Sequence, residues 1–308
     1  WGWYFNTLTC SRIFTSPIEF GDTRNITKSS GTADRAPIWS PKGTKIAWFS
    51  DKDRKGYALF TADQDGMSDI IKISIGASKM AWNPTWSPDG KHIAFIDNDV
   101  RLRVVNLETK KIKTIDVGGN NIERRSIIMN WSPDSKWIAY QKSGNNNFRQ
   151  IYIWSAVTNT STPITDSFAD SFSPAWDLDK KHLYFLASTS LALGSSFANT
   201  SAMTSNSTYA AYIVNLDKKD SSPFKPKSDE EVIKKEIPKE VSKDTAKKKE
   251  VKNKAINIDF DGLSRRTFAL KIPVRDYLYL LAGPKGTVFI AEGVSNEKGA
   301  TLKKYSLK

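Results

Sequence analysis

The side chains that could supply a general base, a nucleophile or a soft metal ligand are few: His92, His182 and a single cysteine, Cys10. A serine-histidine-aspartate triad needs a histidine held in one specific site, and no Gly-x-Ser-x-Gly elbow occurs in the chain. Cys10 lies near the start of the sequence, a poor setting for an activated nucleophile. No Cys-x-x-Cys or His-Glu-x-x-His spacing is present to hold a metal. Asp63-Gln64-Asp65-Gly66 begins like a calcium loop but lacks the closing glutamate. It reads as a hairpin turn, for which Asp-Gly is a common pair. Asp89 and Asp134 are placed to accept bonds from amides in their own turns. The sequence therefore assigns no catalytic, cofactor-binding or metal-ligating residue.

The histidines are explained by a repeat. Trp39-Ser40-Pro41-Lys42-Gly43, Trp86-Ser87-Pro88-Asp89-Gly90, Trp131-Ser132-Pro133-Asp134-Ser135 and a worn copy, Trp176-Asp177-Leu178-Asp179-Lys180, are separated by 47, 45 and 45 residues. His92 and His182 each stand six positions after their tryptophan, and the same slot holds Lys45 and Trp137 in the other copies. A slot that accepts His, Lys and Trp is a packing position at a strand edge.

The elements that carry this slot follow from the pattern. After each Trp-Ser-Pro, proline presets φ and the following Asp-Gly tolerates positive φ, so a strand, a tight turn and a second strand are expected. The second strands are Lys45-Ile46-Ala47-Trp48-Phe49, His92-Ile93-Ala94-Phe95-Ile96, Trp137-Ile138-Ala139-Tyr140 and His182-Leu183-Tyr184-Phe185-Leu186. Third strands follow at 57–60, 102–105, 151–154 and 212–214, and fourth strands at 70–73, 112–115 and 163–165. Four strands per repeat of this length make one propeller blade. The chain is read as all-β, a single β-propeller of four-stranded blades over residues 1–308. Four blades are clear. Arg12–Thr15 and Arg24–Thr27 belong to one before them, and residues 255–271 and 277–305 supply one or two after, the last lacking its fourth strand.

Two segments interrupt the period. Residues 189–208, rich in Ser, Thr, Ala and Asn, read as a surface loop. Residues 218–254 hold 13 lysines and 8 acids and few apolar residues, and read as a disordered, solvated insertion. That insertion carries +5 of the formal charge of +13, and the rest is spread along the chain with no basic cluster that resembles a recognition helix, which argues against nucleic acid. No run approaches the length of a membrane span. One cysteine excludes an internal disulfide and suits a reducing compartment. The chain does not begin with Met, and its first residues lack the features of a signal peptide.

The Trp-Ser-Pro-Asp-Gly-Lys-x-Ile-Ala-Phe pattern resembles the propellers of TolB-type proteins, prolyl oligopeptidases and tricorn proteases alike. The text between the repeats is more specific. Thr23–Thr27 with Asp34–Pro41, Trp131–Tyr140, Leu183–Thr189, Ser222–Phe224, Lys227–Glu231 and Ile258–Arg266 with Pro273 together resemble the second, seven-bladed propeller of a tricorn-like serine peptidase, over about residues 12–305. Lys42 in place of Asp, the worn repeat at Trp176 and residues 1–10 depart from it. The resemblance implies a larger polypeptide with a first propeller, a PDZ domain and a peptidase core. It also implies a hexameric homo-oligomer, peptide substrates and a cytoplasmic setting, or a periplasmic one if a signal peptide precedes this sequence. The family's catalytic residues belong to the peptidase core, so none is carried onto this chain. On this reading the propeller is a non-catalytic channel or gate for peptides. The rival reading is a TolB-like protein-binding module, and a weaker one makes the chain an enzyme by itself.

Overall fold

The computed structural model describes residues 3–7, 10–15, 24–27, 34–52, 56–76, 78, 80–119, 121–189, 208–225, 255–294 and 299–307. Most of the loop expected at 189–208 and most of the insertion expected at 218–254 lie outside them. Among the described residues the regular elements are strands and two short 3₁₀ turns, Asn121–Arg125 and Leu263–Arg266.

The strands form sheets in which each pairs antiparallel with its neighbour in the chain. The first holds β1 (Trp3–Thr7), β2 (Cys10–Thr15) and β3 (Arg24–Asn25). The second holds β4 (Asp34–Trp39), β5 (Lys45–Ser50), β6 (Ala58–Asp63) and β7 (Ile71–Ser74). The third holds β8 (Ala81–Trp86), β9 (His92–Asp97), β10 (Arg101–Asn106) and β11 (Ile112–Val117). The fourth holds β12 (Met129–Trp131), β13 (Trp137–Ser143), β14 (Arg149–Ser155) and β15 (Ser161–Pro163). The fifth holds β16 (Asp170–Trp176), β17 (His182–Ser188), β18 (Ala210–Asn215) and β19 (Thr267–Ala269). The sixth holds β20 (Tyr277–Ala282), β21 (Thr287–Gly293) and β22 (Ala300–Ser306). First strands of consecutive sheets neighbour one another, β4 beside β8, β8 beside β12, β12 beside β16 and β16 beside β20. These are the blades of a β-propeller, packed face to face around a shared inner edge.

Three expectations are refined. The fourth strand of the third repeat is Ser161–Pro163 rather than 163–165: Thr165 Oγ1, not a backbone carbonyl, takes the amide of Ile151 at 3.0 Å, so the ladder ends early. Within 255–271, β19 completes the fourth repeat, so one further sheet follows it among the described residues. Residues 3–7, unplaced by the sequence, pair with β2.

Alternate residues of a strand point to opposite faces, and here both faces are covered. In β5, Ile46 and Trp48 pack toward Ile26 after the first sheet, while Ala47 and Phe49 pack on Ile93 and Phe95 of the third. That explains why the second strands read as nearly unbroken apolar runs. The next gap is filled by Ile96, Leu102, Ile138 and Tyr140, the next by Ile151, Ile153, Leu183 and Phe185, and the last by Tyr184, Ile213, Leu280 and Val288.

The three Trp-Ser-Pro turns share the same serine bonds. Ser87 donates its amide to His92 O at 2.9 Å, and its hydroxyl oxygen accepts the His92 amide at 2.9 Å. Asp89 Oδ1 accepts from the Ser87 hydroxyl at 2.5 Å and from the Lys91 amide at 3.0 Å. Ser40 and Ser132 repeat the serine bonds. The fifth turn residue has positive φ in every copy: Gly43 at 68°, Gly90 at 74°, Ser135 at 61° and Lys180 at 65°. A side chain there is strained relative to glycine.

Directional bonds then fasten blade to blade. Trp131 Nε1 donates to Thr85 O at 3.2 Å, and Trp176 Nε1 donates to Asn130 O at 2.9 Å, in both cases to the residue before the previous blade's tryptophan. Asn83 Nδ2 reaches Arg125 O and Ile127 O, each at 3.0 Å, and Asn130 Nδ2 reaches Pro174 O at 2.5 Å. Ser173 Oγ accepts the Leu280 amide at 2.8 Å and donates to Leu280 O at 3.1 Å. On the rim opposite the Trp-Ser-Pro turns, Arg149 grips Asp170 of the next blade, with Nε to Oδ1 at 2.9 Å and Nη2 to Oδ2 at 2.5 Å. Burial alone would raise the pKa of Asp170, but the Arg149 guanidinium outweighs it and holds the carboxyl below its ordinary value.

Stability measurements on five variants check this. Trp176→Phe removes a bonded N–H and should lower the urea unfolding free energy by about 2 kcal/mol. Trp86→Phe, whose indole N–H is buried without a partner, should cost about 1 kcal/mol less. Lys180→Gly should stabilise by about 0.5–1 kcal/mol, and Gly90→Ala should destabilise by a similar amount. Asp170→Asn should cost about 3 kcal/mol at pH 7. Because the native carboxyl titrates below its unfolded value, that contribution is complete above about pH 4. It fades as pH falls through the native pKa, so the wild-type and variant unfolding curves should converge in acid.

Candidate functional site

The slot shared by Lys45, His92, Trp137 and His182 is the first residue of the second strand in each blade. Its cross-strand partner ends the third strand: Asp63, Asn106, Ser155 and Asn215 respectively. Lys45 Nζ bonds Asp63 at 2.9 Å. His92 Nε2 lies 3.1 Å from Asn106 Nδ2. Trp137 packs on Phe260 with ring centroids 6.1 Å apart. His182 Nδ1 lies 2.5 Å from Asp179 Oδ2. The two histidines sit in the third and fifth sheets, with the fourth between them, and the structure does not bring them together. Cys10 opens β2 opposite Thr7. Asp63–Gly66 is the turn joining β6 to β7: the Gly66 amide donates to Asp63 O at 3.1 Å and Asp65 Oδ1 accepts the Met67 amide at 2.9 Å.

The worn repeat contains a group that sequence reasoning passed over. Ligand atoms of Asp177, Asp179 and His182 lie within 4.8 Å of one another. Protein donors engage these carboxylates: Tyr184 Oη at 2.6 Å and the Gly286 amide at 3.0 Å on Asp177, and the Lys181 and His182 amides on Asp179. Asp177 also holds the amide of Asp179 at 2.8 Å. The cluster thus closes its own turn and ties the fifth sheet to the β20–β21 turn. The signal was in the sequence, as aspartate where the other copies have serine.

A recess lies between the third and fourth sheets, at the Trp-Ser-Pro end. It is a cavity of about 420 Å³. Trp131 and Trp154 line it, edge to face with centroids 6.5 Å apart, and His92 stands 6.0 Å from Trp131. Val104, Ile112 and Ala156 add apolar surface, and Lys111 and Lys113 are its charged lining residues. The slot explains the space. In the next gap the slot residue Trp137 packs on Phe260, whereas here the slot holds the smaller His92.

The polar atoms of this cavity are fixed. Asn106 Oδ1 accepts the amides of Glu108 at 3.0 Å and Thr109 at 2.8 Å, which leaves Nδ2 to donate to His92 Nε2. Burial holds the His92 pKa below its ordinary value, so the ring is neutral at pH 7. Its proton therefore sits on Nδ1, which is buried without a hydrogen-bond partner. Trp131 and Trp154 spend their N–H groups on Thr85 O and on Asn159 Oδ1, the latter at 3.3 Å. Lys111 and Lys113 form no ion pair among the described residues. The arrangement can take up an apolar ring and negative charge.

Comparison with known proteins places the whole. A family model described as the tricorn protease second beta propeller domain matches residues 5–308. Tricorn protease homolog 1 of Streptomyces coelicolor is 25% identical over 55% of this chain and 16% of its own length. The tricorn protease homolog of Saccharolobus solfataricus is 24% identical over 62% of this chain and 17% of its own length. The chain thus spans about a fifth of the length of the curated relatives it matches. Among solved structures, a crystal structure of the tricorn protease superposes with a TM-score of 0.71 at 16% identity, covering 96% of this chain and 28% of that one. A crystal structure of puromycin hydrolase superposes with a TM-score of 0.55 at 10% identity, covering 96% and 40%. The periodic tryptophans, the blade order and the match over nearly the whole chain agree, and the protein belongs to the family of the tricorn protease second beta propeller domain.

Proposed function

We propose that this chain is the non-catalytic propeller of a tricorn-like serine peptidase and admits peptides along its axis to a distant active site. The observation that carries this reading is the row of neighbouring first strands, β4, β8, β12, β16 and β20, which lines the inner edge of the blades within a tricorn-family domain. Strands arranged radially leave an axial passage wide enough for an extended chain and too narrow for a folded protein. The cationic surface favours acidic peptides entering it. Residues 1–308 act as one propeller domain, with the segments near 189–208 and 218–254 as insertions. The remaining functions, a first propeller, a PDZ domain and the peptidase core, belong to the rest of the polypeptide. The protein works as a homo-oligomer in the cytoplasm, a setting that suits its single cysteine.

The gate is tested in the full-length enzyme on a Cys10→Ser background carrying Leu278→Cys, an exposed position of β20. Coupling a bulky polyethylene glycol maleimide should slow turnover of long peptides several-fold, while N-ethylmaleimide should leave it near the unmodified rate. Turnover of a short chromogenic substrate should change less with either reagent. If the bulky label left long-peptide turnover untouched, peptides would not pass this edge and the gate would be wrong.

A further inference from the structure

We propose that the cavity between the third and fourth sheets binds the C-terminal aromatic residue of a peptide, its ring against the Trp131–Trp154 pair and its carboxylate facing Lys111 and Lys113. The inference stands on the cavity and not on the channel reading, so either could fail alone. A recess of 420 Å³ lies within the range of small-ligand pockets. It has room for one large side chain with its terminus. Two indoles at right angles supply the face and edge contacts that aromatic rings prefer.

Charge selects the acid. The lining holds two lysines and no carboxylate, and neither lysine forms an ion pair among the described residues. A cationic ligand meets two ammonium groups and loses.

The experiment uses the full-length protein and three probes in isothermal titration: N-acetylphenylalanine, its amide, and N-acetyl-aspartyl-phenylalanine amide. The free acid should bind about five- to tenfold tighter than its amide. The double variant Lys111→Gln, Lys113→Gln, at two exposed positions, should fold normally and shrink that ratio to about twofold or less. Ala156→Trp should abolish binding by filling the recess. Should it fail to fold, the lysine variant carries the test. Equal affinity for acid and amide, an unchanged ratio in the lysine variant, or no binding at millimolar probe would overturn the proposal. Binding of the aspartyl amide as tight as that of the acid would overturn the assignment to a chain terminus.

Discussion

One contact recurs at two of the blade junctions: an indole N–H reaching back to a carbonyl on the inner strand of the previous sheet. Apolar packing between sheets is non-directional and would tolerate sliding by a pleat. A hydrogen bond from Trp131 to Thr85 or from Trp176 to Asn130 does not. It fixes the angle and height of one sheet on the next, and the Asn83, Asn130 and Ser173 bonds reinforce it along the same edge. The cavity beside Trp131 exists only because that ring is pinned in place, with space beyond it that the slot residue fails to fill.

Much of the architecture was legible because the repeat is written in residues with strong local meaning. The tryptophan spacing, the Ser-Pro turn and the paired apolar runs all survive in the structure, and the histidines fall in the single slot that periodicity assigned them. What could not be read depends on contacts across blades. Ala36, Asn83 and Ser173 stand three residues before their tryptophans, each followed by proline, and each has positive φ, at 50°, 50° and 56°. Local rules place a residue before proline in extended backbone. Here the first strand bulges at these points, and the bulge turns Asn83 and Ser173 toward the following sheet. The fourth strand of the fifth sheet was hidden differently, since Thr267 lies far beyond Asn215 along the chain.

The cavity shows the limit of reading one repeat at a time. Nothing about His92 taken alone announces a binding recess. Set against Trp137 in the next blade, it marks a missing volume. Its hydrogen-bond state is then dictated by Asn106, whose own oxygen is committed to a turn. Structural and recognition roles are therefore not alternatives at this slot, because the same imidazole closes a strand edge and leaves one proton facing no acceptor.

Asp177 gives the worn repeat a meaning that similarity scoring misses. Where the other copies keep serine, this one carries a longer acidic side chain that spans to Tyr184 and Gly286. The odd letter marks a joint whose mating part differs from the rest of the ring. An engineer who averaged the repeats into a uniform module would erase the fitting that seats the last sheet. The departure at this position records how that sheet is seated on its neighbour.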